Sequence, residues 1–490
     1  MAKIIVIGAG IGGISAAAHL AKAGHRVTVL EKNDQPGGRA EIFQEKGYTF
    51  DRGPSWYLMP EVFDKWFADL GFDREDYYQI ITLNPQYKVY YQDKTQLEIG
   101  IDREKNLHKI ARLQPGSLPK LRAYLRQAQT KYDLAMETFL YKNADSPLDF
   151  LQYWRLLPQA LQLNLFGTMQ HYIERYITEP KLQQLLMYNL VFLGCSPYNA
   201  PALFSLMAHV DLNVGVYYPA GGFLNMVASM VSIAKQLGVR FEYNQPIKKI
   251  NTTSGLVTSL ETDIKTWQAD YVVSNADYVH TEDLLSDQTM RQHSDGYWKR
   301  KINGPSAFLL YLGINRKIPE LMHHTLYFTE DWQKHFSDVF NHKQWPQNPS
   351  IYINRPTATD ASLAPKGHDT LMILVPVASG LADSKSLRES YGDYIIKYIE
   401  KNLNIEFHSA ITVKKIVTIS DFEKRYNSFE GNAFGGLAHT LFQSSIWRPS
   451  NRHKKLSNLF FTGAGTVPGI GLPTSLISGY LVNDRIAKLK

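Results

Sequence analysis

Cysteine is almost missing from this chain: Cys195 is the one thiol in 490 residues. One cysteine excludes an intramolecular disulfide and a thiolate metal cluster, and no metal site is read elsewhere. Cys195 therefore reads as a small apolar core residue in a protein suited to a reducing cytosol. No run of about eighteen apolar residues occurs, so a membrane-spanning helix is not expected, although the chain can still lie on a membrane. The first strand begins at residue 3, which leaves no room before it for a leader; the expected location is cytoplasmic and peripheral to the membrane. No block of five or six basic residues occurs either. Lys+Arg 53 against Asp+Glu 46 gives a net charge of +7. That excess is mild over such a length; it argues against nucleic acid and fits attraction to an anionic membrane surface.

Aromatic residues are plentiful, with 29 Tyr and 23 Phe. Either an aromatic core or a large apolar ligand surface would account for them. The length exceeds what one hydrophobic core supports, so two or three domains are expected.

The first fifty residues organise the rest. Lys3-Ile4-Ile5-Val6-Ile7 is a β-branched run that reads as a buried parallel strand. Gly8-Ala9-Gly10-Ile11-Gly12-Gly13 follows, then a helical pattern over 14–23 that stops at Gly24, then a second strand from Arg26 to Leu30. Gly8 allows the tight turn, and Gly10 lets the backbone approach a pyrophosphate lying on the free N–H groups of the helix start. Gly13 removes a side chain that would hold the helix off the sheet. Glu31 falls where a carboxylate accepts hydrogen bonds from a ribose diol, and its charge disfavours a 2′-phosphate. This is a dinucleotide-binding unit.

Gly37-Gly38-Arg39 selects the dinucleotide. An acidic residue, a short spacer and GGR resemble the FAD-binding start of the amine oxidase and phytoene desaturase flavoproteins. The resemblance implies that the glycine pair crosses the pyrophosphate and that Arg39 contacts the flavin side. Phe50-Asp51-Arg52-Gly53-Pro54-Ser55-Trp56-Tyr57-Leu58-Met59-Pro60 is similar to a segment of the bacterial phytoene desaturases, with Leu58 in place of a tryptophan. In that family it lies beside the flavin, which makes Gly53, Pro54 and Ser55 candidates for the cofactor wall. A helix is expected over 60–70.

Further on, Tyr87 to Tyr91 and Gln96 to Ile99 alternate like a hairpin, and helical patterns cover 119–141, 148–176 and 180–193. The segment from Phe150 to Pro158 is bulky and apolar, broken by Arg155; such helices wall a lipophilic channel, dip into a bilayer surface or simply form a core. Asp211 to Phe223 resembles a family segment that returns the chain to the cofactor domain. A helix over 223–237 follows, and 238–250 reads as a strand pair. In related flavoproteins the residue at Ile247 packs beside the adenine. Strands are expected near 269–277, 307–314, 350–354 and 370–376, and a helix over 391–402. Gly435-Gly436 lacks the strand–turn–helix setting of a second nucleotide site. One dinucleotide site and no nicotinamide domain are therefore expected, with electrons leaving to dioxygen or a quinone.

The segment Asn458-Leu459-Phe460-Phe461-Thr462-Gly463-Ala464-Gly465-Thr466-Val467-Pro468-Gly469-Ile470-Gly471-Leu472-Pro473 carries the most specific information in the chain. It reads as a buried strand, a glycine-rich crossing and a helix starting near Leu472 or Pro473, with proline well placed in the first turn. The positive end of that helix would stabilise negative charge on a flavin above it. The segment resembles the bacterial-type phytoene desaturase signature over nearly its whole length; Val467 and Ile470 vary from the common residues, and Ile470 implies a differently shaped pocket.

The expected fold class is α/β. It comprises a Rossmann-type FAD domain of the glutathione-reductase/amine-oxidase type, assembled from 1–76, 211–300 and 441–490, with an inserted α+β substrate domain from 77–210 and 301–440. Candidate cofactor residues are Gly8, Gly10, Gly12, Gly13, Glu31, Lys32, Gly38, Arg39, Gly53, Pro54, Ser55, Ile247, Gly463, Ala464, Gly471 and Leu472. The resemblance implies desaturation of an apolar polyene, phytoene (C40) or diapophytoene (C30), by hydride loss to FAD and proton loss. No proton acceptor is assigned, and Asp211 reads more readily as a turn residue. A flavin-dependent carotenoid isomerase and an amine-oxidase-like flavoprotein share the scaffold and stand as alternatives.

Overall fold

Lys3–Ile7 and Arg26–Leu30 pair in parallel, with Ile4 beside Val27 and Val6 beside Val29. The computed structural model describes residues 1–146, 149 and 167–489. Tyr271–Ser274 lies on the other side of Lys3–Ile7, Leu459–Phe461 beyond it, and Arg240–Glu242 on the opposite edge. The result is a five-stranded parallel sheet in which the last described strand sits two places from the first.

Both faces of this sheet's centre are covered, which is why Lys3–Ile7, Tyr271–Ser274 and Leu459–Phe461 are largely apolar, whereas the edge strand Arg240–Glu242 exposes both its charged residues. Ile4 and Val6 pack with the helices Ile11–Lys22, Gly222–Gln236 and Leu472–Ala487. Ile5 and Ile7 point the other way, into a cluster with Ile250 and Leu260 of a three-stranded antiparallel sheet. Each fully buried aliphatic side chain contributes about 1.5–3 kcal/mol.

Two sequence readings need correction here. The first helix starts at Ile11, not Ile14, and takes Gly12 and Gly13 into its first turn. Tertiary packing overrides the poor helix propensity of glycine: a Cβ on Gly13 would lie 2.1 Å from the Gly8 carbonyl oxygen, and one on Gly12 would lie 2.7 Å from Gly463 N. The strands within 238–250 do not pair with each other. Arg240–Glu242 pairs with Arg26–Leu30, whereas Lys249–Thr253 pairs with Leu256–Glu261. Between them, Asn244 N and Gln245 N donate to the carbonyls of Asn33 and Glu31, and Pro246 has no N–H to continue a ladder.

The second large sheet has seven strands, in the order Ile411–Val417, Ser306–Ile314, Asp369–Val377, Ile351–Asn354, His324–Phe328, Tyr87–Tyr91 and Gln96–Ile99. The hairpin Tyr87–Tyr91/Gln96–Ile99 joins it by a parallel pairing of Tyr87–Tyr91 with His324–Phe328. Segments more than two hundred residues apart thus share one ladder. Leu118–Leu134 is a helix that continues as a π-helix over Ala135–Leu140, and Pro180–Met187 tightens into a 3₁₀ turn over Tyr188–Leu193. The apolar segment from Phe150 to Pro158, and most of the helical pattern over 148–176, lie outside the described residues. Among the described residues no helix is long and apolar enough to cross a membrane, and no three His, Cys, Asp or Glu side chains gather as a metal site. Cys195 is buried, and burial pushes its thiol pKa up.

Candidate functional site: two glycine turns on one cavity

The Gly8–Gly13 turn sits at the carboxyl end of the parallel sheet, where such folds bind ligands. Gly8 has φ +93° and donates to Leu30 O at 2.8 Å, which holds the turn against the second strand. Gly10 caps the helix Ile11–Lys22 with no side chain on its first N–H groups. The Gly37–Gly38 loop lies directly across it: Gly37 N donates to Ala9 O at 2.8 Å, and a Cβ on Gly38 would stand 3.1 Å from Gly10 Cα.

Glu31 is 5% exposed, and its carboxylate accepts from Ala9 N at 2.7 Å and Asn33 N at 2.8 Å. Burial pushes its pKa up while these two bonds pull it down. Beside it, Lys32 donates to Lys424 O and to Asn427 Oδ1, and Ile247 adds an apolar, buried wall.

Arg39 is half-buried and has no carboxylate bonded to it. It donates to Ser428 Oγ at 2.8 Å and Asn432 O at 3.2 Å, lies 5.4 Å from the Tyr426 ring, and leaves a buried Nε without a partner. Burial lowers its pKa, and Asp277 acts against that shift. Gly53 turns over the Arg39 backbone so closely that a Cβ would meet Arg39 O at 2.5 Å. Ser55 shares a 2.7 Å hydrogen bond with Tyr352, whose hydroxyl is 2.7 Å from His324 Nδ1.

The closing segment completes the enclosure. Thr462 Oγ1 donates to Gly12 O, Gly463 N donates to Ser478 Oγ at 2.7 Å, and a Cβ on Gly479 would strike Ala16 N at 2.5 Å. The first and last helices are therefore in backbone contact. Leu472–Ala487 begins at Gly471 with no side-chain cap, so a second uncapped helix start faces the same space. Ile470 N donates to His439 Nε2, and the Ile470 Cδ1 methyl fills the space where Gly194 lacks a side chain.

These parts line one continuous cavity of about 800 Å³. Fifteen of the sixteen sequence candidates are on its wall: Gly8, Gly10, Gly12, Glu31, Lys32, Gly38, Arg39, Gly53, Pro54, Ser55, Ile247, Gly463, Ala464, Gly471 and Leu472. Gly13 is off the wall; it packs the helix on the Gly8 turn. The rest of the wall is largely apolar, with Phe192, Leu326, Phe328, Trp332 and Phe336 among its side chains.

Sequence reasoning missed several residues at this site. Asn275 donates to Thr462 O at 3.2 Å and stands 2.5 Å from where a Gly10 Cβ would be, so it ties both glycine turns together. Its signal was its place directly after a sheet strand. Arg448 gave no signal. It is 4% exposed and donates to four carbonyls: Thr466, Leu437, Gln443 and Ala464, at 3.0–3.3 Å. Burial lowers its pKa to about 10. Burial and the Arg448 charge hold the His439 pKa well below the usual imidazole range, and the side chain lines the cavity.

Asp211 lies behind the wall, in the π-helical turn Val210–Val214, where it accepts from Tyr87 at 3.0 Å. Burial raises its pKa to about 7, against an ordinary value of about 3.9. Between those values the folded chain holds a proton that the unfolded chain has lost, so stability falls as pH rises through that window. Asp211→Asn removes this dependence. Unfolding free energies from urea titrations across the window are expected to fall less steeply with pH than those of the wild type, by up to about 1.4 kcal/mol per pH unit. Identical slopes would show that Asp211 does not carry the proton.

The cavity fits FAD. Two uncapped helix starts, a carboxylate at the second strand, close-approach glycines and an incompletely bonded guanidinium suit a pyrophosphate, a ribose diol and a flavin. The profile of the flavin-containing amine oxidoreductases matches residues 11–487, and the chain belongs to that family as an FAD-dependent oxidoreductase. Over 478 residues it is 42% identical to a carotenoid 3,4-desaturase of Haloarcula japonica, covering 97% of this chain and 96% of that one. It is 34% identical over 499 residues to the zeta-carotene-forming phytoene desaturase of Myxococcus xanthus, covering 99% and 93%. Among the flavin amine oxidoreductases, the chain is thus a member of the bacterial-type phytoene desaturase group. A solved oxidoreductase from Methanosarcina mazei shares the fold, with a TM-score of 0.64 at 17% identity over 98% of this chain and 100% of that one.

Proposed function

We propose that this enzyme desaturates an acyclic polyene, phytoene or diapophytoene, in carotenoid biosynthesis. The observation that carries the reading is the continuity of the cavity from the glycine turns to the apolar wall formed by Phe192, Leu326, Phe328, Trp332 and Phe336. A hydrocarbon chain gains by leaving water there, and it offers no polar group for a hydrogen-bonded site to hold. The related desaturases support the same substrate class.

The sixteen candidate residues are assigned to FAD in this reading. Gly8, Gly10, Gly12, Gly38 and the uncapped helix start would admit the pyrophosphate, Glu31 and Lys32 would hold the ribose side, and Ile247 would pack at the adenine. Arg39, Gly53, Pro54, Ser55, Gly463, Ala464, Gly471 and Leu472 would line the flavin, and Gly13 seats the helix. Segments 1–76, 211–300 and 441–490 form the cofactor domain, and 77–210 with 301–440 the substrate domain. When bound, FAD supplies the acceptor for a hydride from an allylic C–H.

The protein's share is to orient the polyene along its apolar wall and to exclude water. Exclusion keeps water from adding to a carbon with cationic character before the adjacent carbon loses its proton. The electrons would leave to dioxygen or a quinone. Because such a polyene resides in lipid, we place the enzyme at a membrane surface.

The test is incubation of the FAD-loaded protein with phytoene or diapophytoene in liposomes under an electron acceptor. Stepwise red-shifted, three-peaked absorbance is expected. A changed isomer pattern without longer conjugation would replace the reading with an isomerase, and no change with either polyene would end it.

A further inference from the structure

Four of the twelve large apolar side chains exposed among the described residues lie together. Phe442 is 69% exposed, Trp447 52%, Ile302 38% and Leu441 37%. Leu441, Phe442 and Trp447 stand on two consecutive 3₁₀ turns, Leu441–Gln443 and Ser445–Trp447. Ile302 is joined to them through Gln443: Ile302 N donates to Gln443 Oε1 and Gln443 Nε2 donates to Ile302 O, both at 2.9 Å. Arg448 holds the Gln443 carbonyl from inside. The base of the patch is therefore firmly bonded while its apolar side chains face outward, which soluble surfaces ordinarily avoid.

Two features beside it identify a partner. Lys299, Arg300 and Lys301 run directly into Ile302; the first two are exposed, and among the described residues none of the three makes an ion pair. Leu441, Ser444, Ser445, Ile446 and Trp447 also line the cavity, so the patch forms part of its rim.

We propose that this patch docks the enzyme on an anionic lipid bilayer and sets the cavity rim against the lipid. Basic side chains are drawn to an anionic lipid surface, an attraction that added salt screens. Aromatic side chains settle at the interface, where the ring leaves water and a tryptophan N–H stays wet. Charge and apolar surface together favour lipid over a second copy of this basic chain, whose own Lys299–Lys301 would meet its counterpart across a twofold contact. The purpose assigned to docking, delivery of an apolar substrate without a crossing of water, rests on the polyene reading; the docking itself does not.

The experiment uses the full chain with FAD and no polyene. It is sedimented with vesicles of phosphatidylcholine alone or mixed with phosphatidylglycerol. Binding to the anionic vesicles that weakens with added salt is expected. Phe442→Asp should weaken it at least tenfold, and the double variant Lys299→Glu, Arg300→Glu should abolish the preference for anionic lipid. Flavin absorbance reports that both variants fold. Wild-type binding by both variants would overturn the proposal. So would a dimer that Phe442→Asp converts to monomer without any binding of vesicles by the wild type. Turnover of polyene in detergent without vesicle binding would refute docking and leave the desaturase reading intact; vesicle binding without turnover would do the reverse.

Discussion

Gly10→Val yields a folded protein that elutes without flavin. The Gly10 backbone has φ −73° and ψ 171°, a conformation valine adopts readily, so the substitution imposes no backbone strain. The conflict is one of space. Its Cβ alone would lie 2.5 Å from Asn275 Oδ1, and the two further methyl groups would occupy the approach to the uncapped helix start. Overpacking of this kind costs about 1–3 kcal/mol, and the lost backbone approach to a pyrophosphate adds to it. Affinity for FAD is expected to fall about 100-fold or more, since every 1.4 kcal/mol is a factor of ten. The ratio of flavin to protein absorbance after gel filtration, followed by FAD titration, measures this. Gly24→Ala is the control: Gly24 has φ +86°, but a Cβ there would meet no atom within 4 Å. It should lose about 1 kcal/mol of stability through left-handed strain and keep its flavin. Wild-type FAD affinity in Gly10→Val would remove the glycine turn from the cofactor site.

Arg448→Met has the second large expected effect, on stability as well as on flavin retention. Methionine fills similar space but leaves the carbonyls of Leu437, Gln443, Ala464 and Thr466 without this donor. A buried carbonyl left unsatisfied costs about 1–3 kcal/mol. Release of the buried guanidinium from its desolvation offsets part of the total, so a net loss on the order of 3–5 kcal/mol is expected. Because Ala464 and Thr466 belong to the closing segment, flavin retention should fall with it. Arg448→Lys keeps the charge on a flexible stem that cannot reach four carbonyls at once, and it should fall between the two. Urea midpoints and flavin content measured on all three proteins test this; an unchanged midpoint in Arg448→Met would show that the four bonds carry no net stability.

The dinucleotide unit is legible because its information is local. A β-branched run, glycines where the turn needs positive φ or close approach, and an acid at the end of the next strand each act within a few residues. Even there, the apolar pattern puts the start of the first helix three residues late, since Gly12 and Gly13 are small for packing against Gly463, Asn275 and Gly8 and so carry no apolar mark of the helix they open. The strands over 238–250 are misread for a related reason. Their period is right, but pairing partners are chosen by the sheets available, and Arg240–Glu242 finds the edge beside Arg26–Leu30.

Arg39 shows the boundary most clearly. Its glycine context marks it as a cofactor residue, yet the groups that hold it, Ser428 and Asn432, come nearly four hundred residues later. Arg448 lies wholly beyond that boundary, because its partners are main-chain carbonyls and every residue has one. Backbone conformation and side-chain period are written in neighbouring residues, so the strand–turn–helix unit and a late helix starting near Leu472 could be read directly, and the choice of FAD followed from the family resemblance carried by Gly37-Gly38-Arg39. Which distant loops close over the cavity, and where its rim presents Phe442 and Trp447, follows from packing among segments that have no local mark for one another. Tertiary structure alone decided those.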